Sequence, residues 1–112
     1  MPDTFALPKL SAEEALARAA AGARLIDLRK PPARDGSGRT VAGAEIRNPF
    51  SFDHDDPLTG AEDELIVFCV HGHEVSQFGC ALLMVHGRTV AYVEGGFEAL
   101  VAAGARLEDL PQ

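Results

Sequence analysis

Leu65-Ile66-Val67-Phe68-Cys69-Val70-His71-Gly72-His73-Glu74-Val75-Ser76 is the stretch on which the fold turns. Four consecutive apolar residues, two of them β-branched within Ile66-Val67, predict a strand buried on both faces. A short glycine-bearing loop follows, and Ser76 to His86 then predicts a helix, with Val75, Phe78, Leu82 and Val85 on one apolar stripe and Gly87 as its stop. Strand, short loop and helix in that order are one unit of a parallel α/β sheet. Outward from it the same grammar repeats. Ser11-Ala12-Glu13-Glu14 reads as a capping box, in which the Ser11 hydroxyl accepts from the amide three residues on and Glu14 reaches back. The helix it opens runs through Ala15 to Ala19 and ends near Gly22, and Arg24 to Leu28 predicts the next buried strand. Pro31-Pro32 is expected to stop that strand, with loop across residues 33–43. Ala44-Glu45-Ile46 reads as a brief strand and Asn48 to Gly60 as loop. Thr89 to Val93 is a further strand, and Phe97 to Ala103 a short helix closed by Gly104. The expected fold class is α/β, a central, mostly parallel sheet with helices on both faces.

The chain has 112 residues, enough for one domain spanning 1–112 and too few for two. Seventeen acidic residues against ten basic ones give a net charge of -7, which disfavours binding to a phosphate backbone, so no nucleic-acid partner is expected. No apolar run approaches the ~20 residues of a membrane span, and the N-terminal residues carry no basic-then-apolar leader, so the expectation is a cytoplasmic protein without membrane contact. Two cysteines form no disulfide framework.

Ligands of open parallel sheets bind beyond the carboxyl ends of the strands. Four places qualify: Asp27 to Lys30, Ile46-Arg47, Cys69 to Val75, and Glu94-Gly95-Gly96. Only the third holds a nucleophile. A cysteine at a strand end, facing a helix N-terminus across a tight loop, meets backbone N–H groups and the positive end of the helix dipole, both of which favour thiolate. The same amides of Val70, His71, Gly72, His73, Glu74, Val75 and Ser76 would cradle an anion or a partly negative sulfur. Arg29, Lys30 and Arg47 also follow strands, so they are expected to flank Cys69 as a positive rim that steers an anionic donor toward an acidic protein. Asp27 reads as a partner for backbone or for Arg29 rather than as an acid catalyst, and Gly95-Gly96 as the place where backbone passes close to the Cys69 loop. Cys80 lies in an apolar run and reads as a packed, inert thiol.

In this order the pieces resemble a single-domain rhodanese: Leu25-Ile26-Asp27-Leu28-Arg29, then Val41-Ala42-Gly43-Ala44, then Ile66 to Cys69 with Gly72 and Ser76, then Tyr92-Val93-Glu94-Gly95-Gly96-Phe97. The likeness runs from about Ser11 to Gly104. It implies a three-layer rhodanese-like sandwich in which Cys69 is the catalytic residue and cycles through a persulfide. Such a cysteine takes sulfane sulfur from a small sulfur-containing anion such as thiosulfate, or from a persulfide, and passes it to cyanide or a thiol, including a protein thiol. No cofactor is implied. The sequence departs from the family pattern in three places. Arg39 to Ala44 lacks a customary His and Pro, Leu100 replaces a common tryptophan, and Glu74 stands where a residue suited to anions is usual. The Glu74 carboxylate either opposes an anionic donor or serves the N-terminus of the following helix.

Other readings of the same residues give different functions. A rhodanese-like module that binds a partner without chemistry would not need Cys69. Cys69, His71 and His73, with Cys80 or His54, could form a redox or metal-sensing site, but Cys-x-His-x-His matches no usual zinc spacing and strains tetrahedral geometry, so no metal is expected. The loop histidines are expected to shape the loop and, when protonated, to lend positive charge to the thiolate; His54 and His86 read as surface residues. A cysteine phosphatase needs an arginine six residues after its nucleophile, and that place is Val75.

Overall fold

A computed structural model describes residues 7–47, 63–70, 74–85 and 87–110, with backbone alone for 74–76. The elements are β1 (Lys9–Leu10), α1 (Ala12–Ala20), β2 (Arg24–Asp27), α2 (Pro31–Ser37), β3 (Arg39–Val41), β4 (Glu45–Ile46), β5 (Leu65–Phe68), α3 (Glu74–Val85), β6 (Val90–Val93), α4 (Gly96–Ala102) and β7 (Leu107–Asp109). Five strands make one sheet in the order β1-β6-β5-β2-β4, and every pairing in it is parallel. β5 sits at its centre, in register with β2 from Arg24↔Leu65 to Asp27↔Phe68. β3 and β7 form a separate antiparallel pair.

The alternation of strand side chains divides the interior in two. Leu25, Ile66, Phe68, Ala91 and Val93 face α1 and α4, where they meet Ala12, Ala15 and Leu100. Ile26, Leu65, Val67 and Val90 face the other way, onto Cys80 and Leu83 of α3. With helices on both faces, the sheet is the middle layer of a three-layer α/β sandwich, and its strands are apolar on both sides for that reason.

α1 begins as its sequence dictates. The Ser11 hydroxyl accepts from Glu14 N–H at 3.1 Å, and the Glu14 carboxylate accepts from Ser11 N–H at 3.0 Å. Two expectations need correction. Most of the expected loop over residues 33–43 is regular structure: the two prolines occupy the first helical positions of α2, where a missing N–H costs nothing, and Gly38 closes that helix at φ 71°. β3 follows at once. β1 and β7 join sheets although each is only two or three residues long. α3 starts two residues before Ser76, and of the stripe assigned to it Leu82 packs against the core while Phe78 and Val85 do not. Gly79, Cys80 and Leu83 point into the core, whereas Phe78 is 47% and Val85 82% exposed. The predicted loop over residues 48–60, together with His54 and His86, lies outside the described residues.

The rotated face of α3 gives a direct test by urea unfolding. Leu83→Ala is expected to cost about 2–5 kcal/mol, as a fully buried leucine does. Val85→Ala is expected to stay within about 0.5 kcal/mol, because an exposed side chain leaves no cavity.

Candidate active site

Cys69 follows β5 directly and stands where the centre of the sheet ends. It is 6% exposed and engaged in no disulfide. Four residues separate it from Glu74, the first of α3. The chain then passes its carbonyls to a second helix. Phe97 N–H donates to the Cys69 carbonyl at 2.7 Å, and Glu98 N–H donates to the Val70 carbonyl at 3.3 Å. The first amides of a helix have no partner within it and must find one elsewhere. α4 has no side-chain cap at Gly95. The carbonyls of the cysteine loop take that place.

Gly95 and Gly96 make this contact possible. Both are left-handed, at φ 79° and 60°, and a Cβ on Gly95 would lie 2.7 Å from the Ala99 Cβ. Only glycine adopts that turn without strain. The expectation that Gly95-Gly96 brings backbone close to the Cys69 loop is met.

Beside this contact lies a buried ion pair. The Arg29 guanidinium grips both Asp27 carboxylate oxygens, with Nη2 at 2.8 Å from Oδ2 and Nε at 3.0 Å from Oδ1. Arg29 N–H and the Thr40 hydroxyl donate to the same carboxylate at 3.0 and 2.8 Å. The guanidinium also donates to the Ser37 hydroxyl at 2.8 Å and to the Arg39 carbonyl. Its carbon lies 4.0 Å from the centroid of the Phe97 ring, and that ring stacks on Phe68 at 6.3 Å.

Arg29 is therefore corrected. It is 1% exposed and committed to protein partners, so it is not part of a solvent-facing rim; the carboxylate two residues earlier draws the side chain inward. Arg47 is half-buried at the end of β4, and its N–H donates to the Asp27 carbonyl at 3.1 Å. Lys30 is exposed and stands just before α2. Val70 is half-buried beside Cys69. His71, Gly72 and His73 lie outside the described residues. Glu74, Val75 and Ser76 form the first turn of α3, and only their backbone is described. Cys80 is fully buried and burial pushes its thiol up to about 12, which leaves it protonated and inert at neutral pH. The amides of Phe97 and Glu98 escaped the sequence reading as site residues; the Gly95-Gly96 pair before them was the available signal.

No protein-family model matches the chain, and no curated protein matches it in sequence. Solved structures do match it. A rhodanese-related protein from Thermoplasma volcanium aligns over 90% of this chain and 97% of its own, with a TM-score of 0.74 at 18% identity. The fold is rhodanese-like. A thiosulfate sulfurtransferase from Pseudomonas aeruginosa aligns over 97% of this chain but 21% of its own, with a TM-score of 0.76 at 21% identity. A Rhodopseudomonas palustris protein described as a possible tyrosine phosphatase aligns over 91% of this chain and 85% of its own, with a TM-score of 0.76 at 23% identity. Among the described residues no helix is long and apolar enough to cross a membrane.

Gly95→Ala tests the turn that carries the loop. The clash with Ala99 and the left-handed φ are expected to destabilise the protein by about 1–3 kcal/mol in urea unfolding. A loss below about 0.5 kcal/mol would mean that the turn does not depend on glycine.

Proposed function

We propose that the protein is a sulfurtransferase in which Cys69 carries sulfur as a persulfide. The observation that carries the reading is the placement of Cys69. It directly follows the central strand of a rhodanese-like sheet, four residues separate it from α3, and its carbonyl and that of Val70 accept hydrogen bonds from α4. Amides and dipole at that position favour a thiolate.

The chemistry runs in two displacements. The Cys69 thiolate attacks the outer sulfur of thiosulfate; a sulfur–sulfur bond forms to Cys69, the original sulfur–sulfur bond breaks, and sulfite leaves with its electron pair. An acceptor nucleophile, cyanide or a thiolate of a small molecule or protein, then attacks the outer persulfide sulfur. It leaves as thiocyanate or as a new persulfide, and Cys69 returns as thiolate. A low-molecular-weight persulfide can serve as donor by the same exchange. The amides of residues 70–76 would hold the sulfur, with Lys30 and Arg47 supplying positive charge near the strand ends. This work requires no cofactor, and a cytoplasmic setting would keep the thiol reduced.

The likeness to a possible tyrosine phosphatase does not extend to the phosphate clamp. From Val70 to Gly87 the sequence contains neither lysine nor arginine, so no bidentate cation follows the cysteine. A partner-binding role without chemistry leaves the placement of Cys69 unexplained.

Intact-mass spectrometry after incubation with thiosulfate is expected to show a gain of about 32 Da, one sulfur on Cys69, that cyanide removes. Cys69→Ser should take up none, and Cys80→Ala should behave as the parent. Sulfur on Cys80, or none on the parent from thiosulfate or a small persulfide, would contradict the reading.

A further inference from the structure

The Asp27–Arg29 pair is expensive to build, since both charges are withdrawn from water. Three features set it apart from an ordinary core ion pair. It uses the full fork of an arginine: two nitrogens on Asp27, and further donation to Ser37 Oγ and the Arg39 carbonyl. It lays the flat guanidinium against the Phe97 ring at 4.0 Å, a contact a lysine cannot reproduce. The backbone of that same Phe97 donates the 2.7 Å hydrogen bond to the Cys69 carbonyl.

We propose that Arg29 is a positioning residue for Cys69, acting through Phe97 rather than by touching a substrate. This rests on the sulfur-transfer reading of the site. Asp27, Ser37 and the Arg39 carbonyl fix the guanidinium plane from three directions. The guanidinium and Phe68 both contact the Phe97 ring, which fixes where α4 begins. The Phe97 amide then sets the tilt of the peptide that joins Cys69 to Val70. In a trans peptide the carbonyl and the N–H point opposite ways. Holding the Cys69 carbonyl on α4 therefore turns the Val70 N–H away from α4. That donor is the first backbone amide after the nucleophile in sequence, and its direction decides whether it faces the charge on sulfur. Because Asp27 neutralises Arg29, the influence is geometric and does not depend on attraction between Arg29 and the donor.

The test uses Arg29→Lys, Phe97→Leu, the double variant, and Val90→Ala. Val90 is buried on the opposite face at the start of β6, so its variant controls for lost stability alone. Arg29→Lys keeps the charge beside Asp27, and Phe97→Leu leaves the ion pair intact should the lysine variant fail to fold. The readout is the ultraviolet absorbance of the Cys69 thiolate at neutral pH, taken as the difference from Cys69→Ser, alongside steady-state kinetics with thiosulfate. Each single variant is expected to lower the thiolate signal and kcat by roughly threefold or more, with KM little changed. The double variant should fall no further than the worse single, and Val90→Ala should match the parent. Parent-like signal and kcat in the variants that fold, or losses in the double variant that multiply, would overturn the inference while leaving sulfur transfer standing. A parent protein with neither thiolate signal nor sulfur transfer would overturn both.

Discussion

Two carbonyls at the end of the central strand, those of Cys69 and Val70, are held by the first amides of α4. Most of the arrangement around the site follows from that capture. A helix start needs acceptors, and a strand-to-helix loop has carbonyls that must go somewhere. Here each satisfies the other. Two backbone hydrogen bonds are worth only about 1–3 kcal/mol net, but leaving either side unpaired in a buried setting would cost more than making them gains. The contact thus specifies where the loop sits more than it stabilises the fold.

The contact needs α4 to begin in one place, and three features agree on that place. Gly95 and Gly96 permit a turn that other residues would strain. Leu100 is fully buried against the sheet with α1. The Phe97 ring is braced by Phe68, on which it stacks, and by the Arg29 guanidinium over its face. The last of these ties α4 to β2, α2 and β3 at once. Removing one member of a buried ion pair costs about 3–5 kcal/mol, so Asp27 and Arg29 can only be kept or lost together.

Much of this was legible in the residues. Leu65 to Phe68 can hardly be anything but a buried strand, and Ser11 to Glu14 hardly anything but a helix start. The parallel sheet with helices on both faces followed from their alternation. The short elements were hidden. β1, β3 and β7 are two or three residues each and carry charges, such as the facing Arg39 and Asp109, that resemble loop. α2 was masked by Pro31-Pro32, since the same pair can end a strand or open a helix. Glu74 is the one charged residue of α3, so periodicity could not say which side is buried. Arg29 was misplaced for a similar reason. A basic residue after a strand reads the same whether it faces water or folds back onto an aspartate two positions earlier. The place of Cys69 directly after a strand was legible because the sequence marks the end of that strand clearly.

The capture of the loop by α4 is the centre of this account, and amide hydrogen exchange of Phe97 reads it most directly. The account predicts that the Phe97 N–H, bonded to the Cys69 carbonyl, exchanges as slowly as the amides pairing β5 with β2. Exchange at the rate of an unprotected amide, while that ladder stays protected, would contradict it.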